Sequence, residues 1–527
     1  MIMSTFINIA FSDSPSMSFL MGFLYSPPSL AAVATTLVLV LLLLKVFHGR
    51  WSSRERPLHP LAGTIYHQIL NRKRLHHYYT ELALKHTTFR ILGARGFEVY
   101  TSDPANVEYI LKTNFENYGK GWYQTKIMSG LLGDGIFAVD GEKWRHQRKL
   151  ASYDFSTRAL RETSSQVFRS NAAKLARIIS ESVSNQEAVD VQELFMKTTL
   201  DSIFKVAFGT DLDNLGGKNQ EGPRFIRAFD QSNAIIFRRY GDIFWEIERA
   251  LNIGPEAKIK RNIQIIDDFI YKLIHEKMKQ LACQDVDSEE RKDIISRFLI
   301  FSKEGPKNIN ARYLRDIVLN IIIAGKDTTA ATLAWFLYML CENPLVQEKI
   351  AQEVTEVIGP PPGISMAEFA ELVTEESLNK MHYLHAALTE TLRLHPAVAV
   401  DYKSCLSDDT LPDGFRVKKG YKVGYLPYAM GRMKFLWGED AEKFRPERWL
   451  SDDGIFQPAS PFKFASFQAG PRICLGKDFA YKQMKISAAV LLHFFTFKLA
   501  NEKKRVRYKT MLTLHISNGL HLRAYNR

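Results

Sequence analysis

The ten residues from Phe467 to Gly476, FQAGPRICLG, constrain this chain more than any other stretch. They set one thiol, Cys474, two residues after Arg472 and directly ahead of a helical pattern over 475–494. Gly470 and Gly476 permit a tight turn and the close approach of something flat. Backbone N–H groups of such a turn, and the start of the following helix, favour a thiolate over a thiol. Phe467 can pack beside the sulfur and keep it dry, and Arg472 can reach a carboxylate by a charge-assisted bond. The plain alternative is a buried core cysteine, the default for a lone thiol. Cys283, Cys341 and Cys405 are far from one another in the chain, and no CxxC or Cys/His zinc spacing occurs. A disulfide framework is therefore disfavoured, and a reducing compartment is expected.

Three further constellations bear on the choice. Glu390-Thr391-Leu392-Arg393 sets Glu and Arg three apart on one helix face, where a surface ion pair is the ordinary reading. Ala324-Gly325-Lys326-Asp327-Thr328-Thr329 interrupts a long apolar helical pattern over 312–340 with an acid and two hydroxyls. Buried polar groups carry a desolvation cost unless they are partnered. A Thr hydroxyl that bonds back to the carbonyl four residues earlier can open a local kink that admits water. Gly325 removes a side chain where something must lie against the helix. Trp144 and Arg148, four apart, share a helix face, with a solvated basic helix start as the alternative.

With these in place, Phe467-x-x-Gly470-x-Arg472-x-Cys474-x-Gly476 resembles the haem-thiolate signature of the cytochromes P450. The resemblance spans roughly residues 55–527, with WxxxR, AGxDTT, ExxR, PERW (446–449) and the cysteine loop in the family order. It implies a mainly α fold with small β-sheets and haem b, whose iron Cys474 ligates as an axial thiolate. Phe467, Gly470, Gly476 and Ala324 would frame the macrocycle. Some related hydroxylases ester-link their haem to a Glu at the position of Ala324, so non-covalent haem is expected here. Trp144, Arg148 and Arg472 would contact the haem carboxylates, with Lys403 as a further contact. Thr328 would steady bound oxygen, and Asp327 would gate proton delivery. Glu390, Arg393 and Arg448 would lock the core. More narrowly, NYGKGWYQ (117–124), LLGDGIFAVDGEKWRHQRKLAS (131–152) and MLTLH (511–515) are similar to the plant fatty-acid ω-hydroxylase clan, in its long-chain branch. By the same resemblance Ile136, Phe137, Ile323, Ala397, Val398, Met511 and Leu512 would line the substrate pocket.

Leu30 to Phe47 reads LAAVATTLVLVLLLLKVF, about 18 residues that just suffice to cross a hydrocarbon core. Lys45, Arg50, Arg54 and Arg56 follow, which predicts a cytosolic C-terminal bulk. The expected organisation is a lumenal tail (1–29), a transmembrane anchor (30–48), a basic, proline-containing linker (49–60) and a monooxygenase domain (61–527) at the endoplasmic reticulum. The pattern is mostly helical up to about 390 and turns to short β-like runs after Pro396. The formal charge of +13 suits acidic partners or an anionic membrane face rather than nucleic acid, for which no recognition module is present.

The implied reaction consumes O2, two electrons and two protons and returns a hydroxylated product and water. No flavin or nicotinamide fingerprint occurs, so the expected donor is NADPH–cytochrome P450 reductase, docked on a basic face of Arg145, Lys149, Lys477, Lys482 and Lys485. The expected substrate is a long-chain fatty acid oxidised at or near its ω carbon. The alternatives are an in-chain hydroxylase or epoxidase of another lipid, and a lyase or isomerase of lipid hydroperoxides. The last would need neither O2 nor the Asp327-Thr328 pair.

Overall fold

The computed structural model describes residues 65–527 apart from 94, 95, 157, 218–220, 284–292, 297–310, 504 and 505; upstream it describes only Val38 and Leu41. Those two residues aside, the expected tail, anchor and linker lie outside the described residues. The long helices are α1 (Gly121–Leu132), α2 (Gly141–Ser156), α3 (Arg158–Ser184), α4 (Val191–Phe208), α5 (Glu221–Arg239), α6 (Gly254–Cys283), α7 (Ala311–Glu342), α8 (Pro344–Ile358), α9 (His382–Leu394) and α10 (Lys477–Phe494).

The body is organised around α7. Its sequence is apolar on nearly every face, and a helix of that kind is stable only when surrounded. Among the described residues it is the one helix long and apolar enough to cross a membrane, yet 78% of its most apolar window is buried inside the protein, as in a core helix. α4 packs most closely against it. A Cβ on Gly325 would come within 2.8 Å of Ile203 Cδ1, so the glycine sets how near the two helices can run. Thr199 Oγ1 of α4 donates to the Lys326 carbonyl at 3.0 Å and ties the pair together.

The main sheet flanks this body. Its order is β1 (Thr88–Gly93), β2 (Gly96–Thr101), β5 (Lys422–Tyr425), β4 (Asp401–Cys405) and β3 (Tyr118–Gly119), with β2 and β5 parallel and the other neighbours antiparallel. The β1–β2 hairpin lies in the stretch whose pattern predicts helix. Most of its positions are buried, so it shows no alternation to read. The helical run that ends at Leu394 breaks at Met381 into Glu375–Lys380 and α9. A small hairpin, β6 (Tyr508–Lys509) and β7 (His515–Ile516), approaches α7 near the chain's end.

Glu390 and Arg393 on α9 are not a surface pair: both side chains are fully buried. Arg393 Nε and a terminal nitrogen meet the two Glu390 oxygens at 2.7 Å each. Arg448 Nε reaches Oε1 at 3.3 Å, Trp449 Nε1 donates to Oε2 at 2.8 Å, and the Arg445 N–H donates to Oε1 at 2.9 Å. The arginines spend their remaining donors on the carbonyls of Gly431, Trp437, Asp440, Ala441 and Lys443. The carboxylate thus staples α9 to the segment over 431–449, with its charge compensated and its lone pairs filled. Glu390→Gln leaves the fully buried Arg393 guanidinium without an acid and leaves Arg448 with Asp440 alone. It should cost about 3–5 kcal/mol, read as a lower denaturation midpoint, with Arg393→Met and Arg448→Met also destabilised.

Candidate active site

Gly470 stands at φ +62°, where L side chains are strained, and a Cβ there would fall 2.0 Å from the Leu111 carbonyl oxygen. The Cys474 N–H donates to the Phe467 carbonyl at 2.8 Å and closes the loop. The demand for glycine therefore falls on Gly470. Gly476 has an ordinary negative φ, and a Cβ there would sit 3.9 Å from the sulfur, an unstrained contact. What Gly476 contributes is its N–H, which bonds the sulfur at the start of α10. Cys474 is exposed by surface area although protein surrounds it closely: the surface it presents is the wall of an internal cavity. Burial pushes its thiol pKa up, opposed by the Gly476 N–H and then by the Arg148 guanidinium.

That cavity has a volume of about 970 Å³, at the upper end of ligand sites, which run to roughly 1,000 Å³. Cys474, Phe467 and Phe479 line it from the loop and α10, and Ala324, Gly325 and Thr328 line it from α7. Thr328 Oγ1 donates to the Ala324 carbonyl at 2.6 Å, the back-bond expected for that position. Ile136, Phe137, Ile323, Ala397, Val398, Met511 and Leu512 all contribute to the wall.

A cationic margin completes it. Trp144 is buried, and the Arg472 guanidinium lies 4.4 Å from its ring centroid. Arg472 meets Asp140 Oδ1 at 2.5 Å, while its Nε is buried with no partner among the described residues. Arg148 lines the cavity, and no described acid pairs with it. Lys403 is buried against Asp401, Nζ to Oδ2 at 2.8 Å, so its charge is already countered. Lys120, which the sequence motifs do not single out, is the other buried amine on this margin; no described acid lies within ion-pair distance of it. Burial, then Lys403, lowers its pKa to about 7. Its backbone N–H donates to Asp140 Oδ2 at 2.7 Å, so one carboxylate positions both Lys120 and Arg472.

An open sulfur faces a cavity bordered by Arg148, Arg472 and Lys120, each with unspent donors. That set fits a haem, which brings a metal for the thiolate and two carboxylates for the cations.

Behind α7 lies a second polar cluster. Lys326 is fully buried, with Nζ 2.5 Å from Asp327 Oδ1 and 2.7 Å from Asp230 Oδ1. Asn233 Nδ2 donates to Asp327 Oδ2 at 3.0 Å. Asp327 thus faces Lys326 and Asn233 and does not line the cavity, unlike its neighbour Thr328. The proposed basic docking face is also smaller than its residue types suggest. Lys485 is buried with its amine on the Leu378 carbonyl, Lys482 pairs with Glu375, and Arg145 pairs with Glu116 and Glu142. Lys149 and Lys477 remain exposed.

Comparison with known proteins identifies the family. The family model described as Cytochrome P450 matches residues 54–523. Cytochrome P450 704C1 of Pinus taeda is 51% identical, over 88% of this chain and 91% of its own. Cytochrome P450 704B1 of Arabidopsis thaliana is 42% identical, over 90% and 96%, and Cytochrome P450 94B3 of the same plant is 37% identical, over 94% and 99%.

Two outcomes are expected. The ferrous–CO absorption band typical of a thiolate ligand should disappear in Cys474→Ala and persist in Cys341→Ala and Cys405→Ala. Lys120 must be protonated to hold a carboxylate, and its pKa before haem binds is about 7. Below that value it is already charged; above it, binding must take up a proton, so haem affinity falls as pH rises. Haem transfer to an apo-globin acceptor should therefore speed up with rising pH above neutrality, and Lys120→Met should be faster throughout and lose that slope.

Proposed function

The chain belongs to the cytochrome P450 family of haem-thiolate monooxygenases, and on that premise we propose that it hydroxylates long-chain fatty acids at or near the terminal methyl. The observation that carries the proposal is the cavity wall. Ile136-Phe137, Ile323, Ala397-Val398 and Met511-Leu512, from four separate segments, give it a mostly apolar lining suited to an acyl chain. The resemblance of 117–124, 131–152 and 511–515 to the plant fatty-acid ω-hydroxylase clan supports the same substrate class.

Haem b, when bound, supplies the oxygen activation and C–H oxidation. The chain's own groups set the conditions. Gly476 N–H and the Arg148 charge hold the Cys474 sulfur toward its ionised form. Arg148, Arg472 and Lys120 would hold the haem carboxylates, and Trp144 backs Arg472. Thr328 presents a hydroxyl to the cavity, where it can hold a proton donor beside the reacting centre, and Asp327 regulates proton supply from behind α7. The apolar wall excludes bulk water from the reacting end of the substrate. A terminal C–H bond is stronger than those beside it, so attack there must come from presenting the chain end alone; positioning, not reactivity, sets the outcome.

The anchor over 30–48 would hold the domain at the cytosolic face of the endoplasmic reticulum, with the cavity supplied from lipid. Electrons would come from NADPH–cytochrome P450 reductase, with Lys149 and Lys477 offering charge to an acidic flavin domain. Reconstitution with that reductase and a series of saturated long-chain acids should give ω-hydroxy acids as the main products, scored by mass spectrometry. Exclusively mid-chain products, or no turnover of any acid, would overturn the assignment.

A further inference from the structure

The segment between α1 and α2 carries Ile136 and Phe137, two residues of the cavity wall, and has no helix or strand of its own to hold them. Side chains that reach it from α7 set its shape. Asp316 Oδ2 accepts the Asp134 N–H at 2.9 Å, and Asn320 Oδ1 accepts the Phe137 N–H at 3.2 Å. Asn320 Nδ2 donates to the Leu132 carbonyl at 3.0 Å and, within α7, to the Asp316 carbonyl at 2.7 Å. Arg315 Nη1 donates to the Leu131 carbonyl at 2.8 Å and to Asp316 Oδ1 at 2.9 Å, and its Nε meets Asp267 of α6 at 2.8 Å. Arg315, Asp316 and Asn320 are all buried, so these bonds form away from bulk water, where they are strong. From the other side, Gln147 of α2 donates to the Asp134 carbonyl at 2.8 Å.

Two glycines let the segment come this close. Gly133 stands at φ +55°, and a Cβ there would overlap the Asp316 carboxylate; a Cβ on Gly135 would overlap the Asn320 amide. Neither side chain can step aside cheaply, because each is short, buried and bonded at both of its polar atoms. Asn320, Ala324 and Thr328 follow at four-residue steps along α7, and all three line the cavity. At about 1.5 Å per residue, the grip at Asn320 stands about 12 Å along the helix axis from Thr328. One rigid helix therefore holds both the wall residues of the segment and the hydroxyl of Thr328.

We propose that Asp316 and Asn320 are positioning residues that set which carbon of the substrate is hydroxylated, by fixing Ile136 and Phe137 in the cavity wall relative to Thr328. Asn320 also lines the cavity, but Asp316, Gly133 and Gly135 do not, so an effect of these three on the product passes through the segment.

The inference takes its probe, a long-chain acid, from the proposed function and rests on that reading to this extent alone. Asp316→Asn keeps the side-chain shape and replaces one accepting oxygen by a donor, which then faces either the Arg315 guanidinium or the Asp134 N–H. Gly135→Ala pushes the segment off Asn320. In the reconstituted holoenzyme both should shift the ratio of terminal to subterminal hydroxylation at least about threefold, since rates already respond to a misplacement of about 1 Å. The ratio counts only molecules that turn over, so a loss of folded protein does not move it. Phe137→Ala should shift the same ratio, and adding Asp316→Asn to it should have less than about half the effect of Asp316→Asn alone, because the two act through one wall residue. In the wild-type holoenzyme, the Asp134 and Phe137 amides should exchange with deuterium at least about a hundredfold more slowly than in an unfolded chain. Exchange at the unprotected rate overturns the clamp, whatever the variants do. An unchanged product ratio in either Asp316→Asn or Gly135→Ala, or full additivity with Phe137→Ala, overturns the positioning role. Failure of every acid to turn over would instead count against the substrate assignment, and the exchange rates would still decide the clamp.

Discussion

Holding a cavity of about 970 Å³ open inside a packed protein is the constraint on which the rest of this structure depends. Protein interiors are close-packed, and walls collapse into empty space unless something rigid resists. Here the resistance comes from three directions. α7 spans the body as a buried 32-residue rod, braced by α4 through Gly325 and Thr199. The five donors of Arg393 and the two oxygens of Glu390 fix α9 to the segment over 431–449. Gly470, wedged against the Leu111 carbonyl, fixes the loop that carries the thiol.

The buried charges sort into two kinds. At the Glu390 staple and at Arg239–Glu256, where both side chains are almost fully buried, every charge has its opposite at hydrogen-bond distance. Such pairs hold elements together and have no further capacity. On the cavity margin the pattern differs: Arg148 and Lys120 have no described acid at ion-pair distance, and Arg472, although paired with Asp140, keeps a buried Nε with no partner among the described residues. Unspent positive charge around a concave space favours an anionic occupant. The same chain therefore separates charge that specifies the fold from charge that waits for a cofactor.

Much of this was legible in the sequence because several motifs are short and rigid. The cysteine loop, ExxR and AGxDTT each lie within ten consecutive residues, so their spacing fixes much of their geometry. What stayed hidden depends on contacts between distant segments. Lys485 belongs to a basic helix and reads as surface, but its amine reaches a backbone carbonyl at Leu378 while its stem lies buried. Lys403 reads as a free cation, yet Asp401, two residues earlier on the same strand, answers it. Lys120 gains its importance from Asp140, twenty positions away, which no periodicity links to it. The β1–β2 hairpin is buried on both faces and gives no alternation to detect.

The two glycines of the loop show why a motif match and a physical role need separate arguments. Sequence reading treats Gly470 and Gly476 alike, as room for a turn and a flat neighbour. The backbone separates them: one position excludes any side chain by φ and by a carbonyl 2.0 Å from where Cβ would be, and the other does not. Gly476 matters through its N–H at the sulfur, a group that every residue except proline carries. Alanine at 476 would keep that donor and meet the sulfur at an ordinary distance, whereas alanine at 470 would force the loop off Leu111. Position 476 lines the cavity, so a side chain there would extend into the space in front of the thiol rather than into the protein.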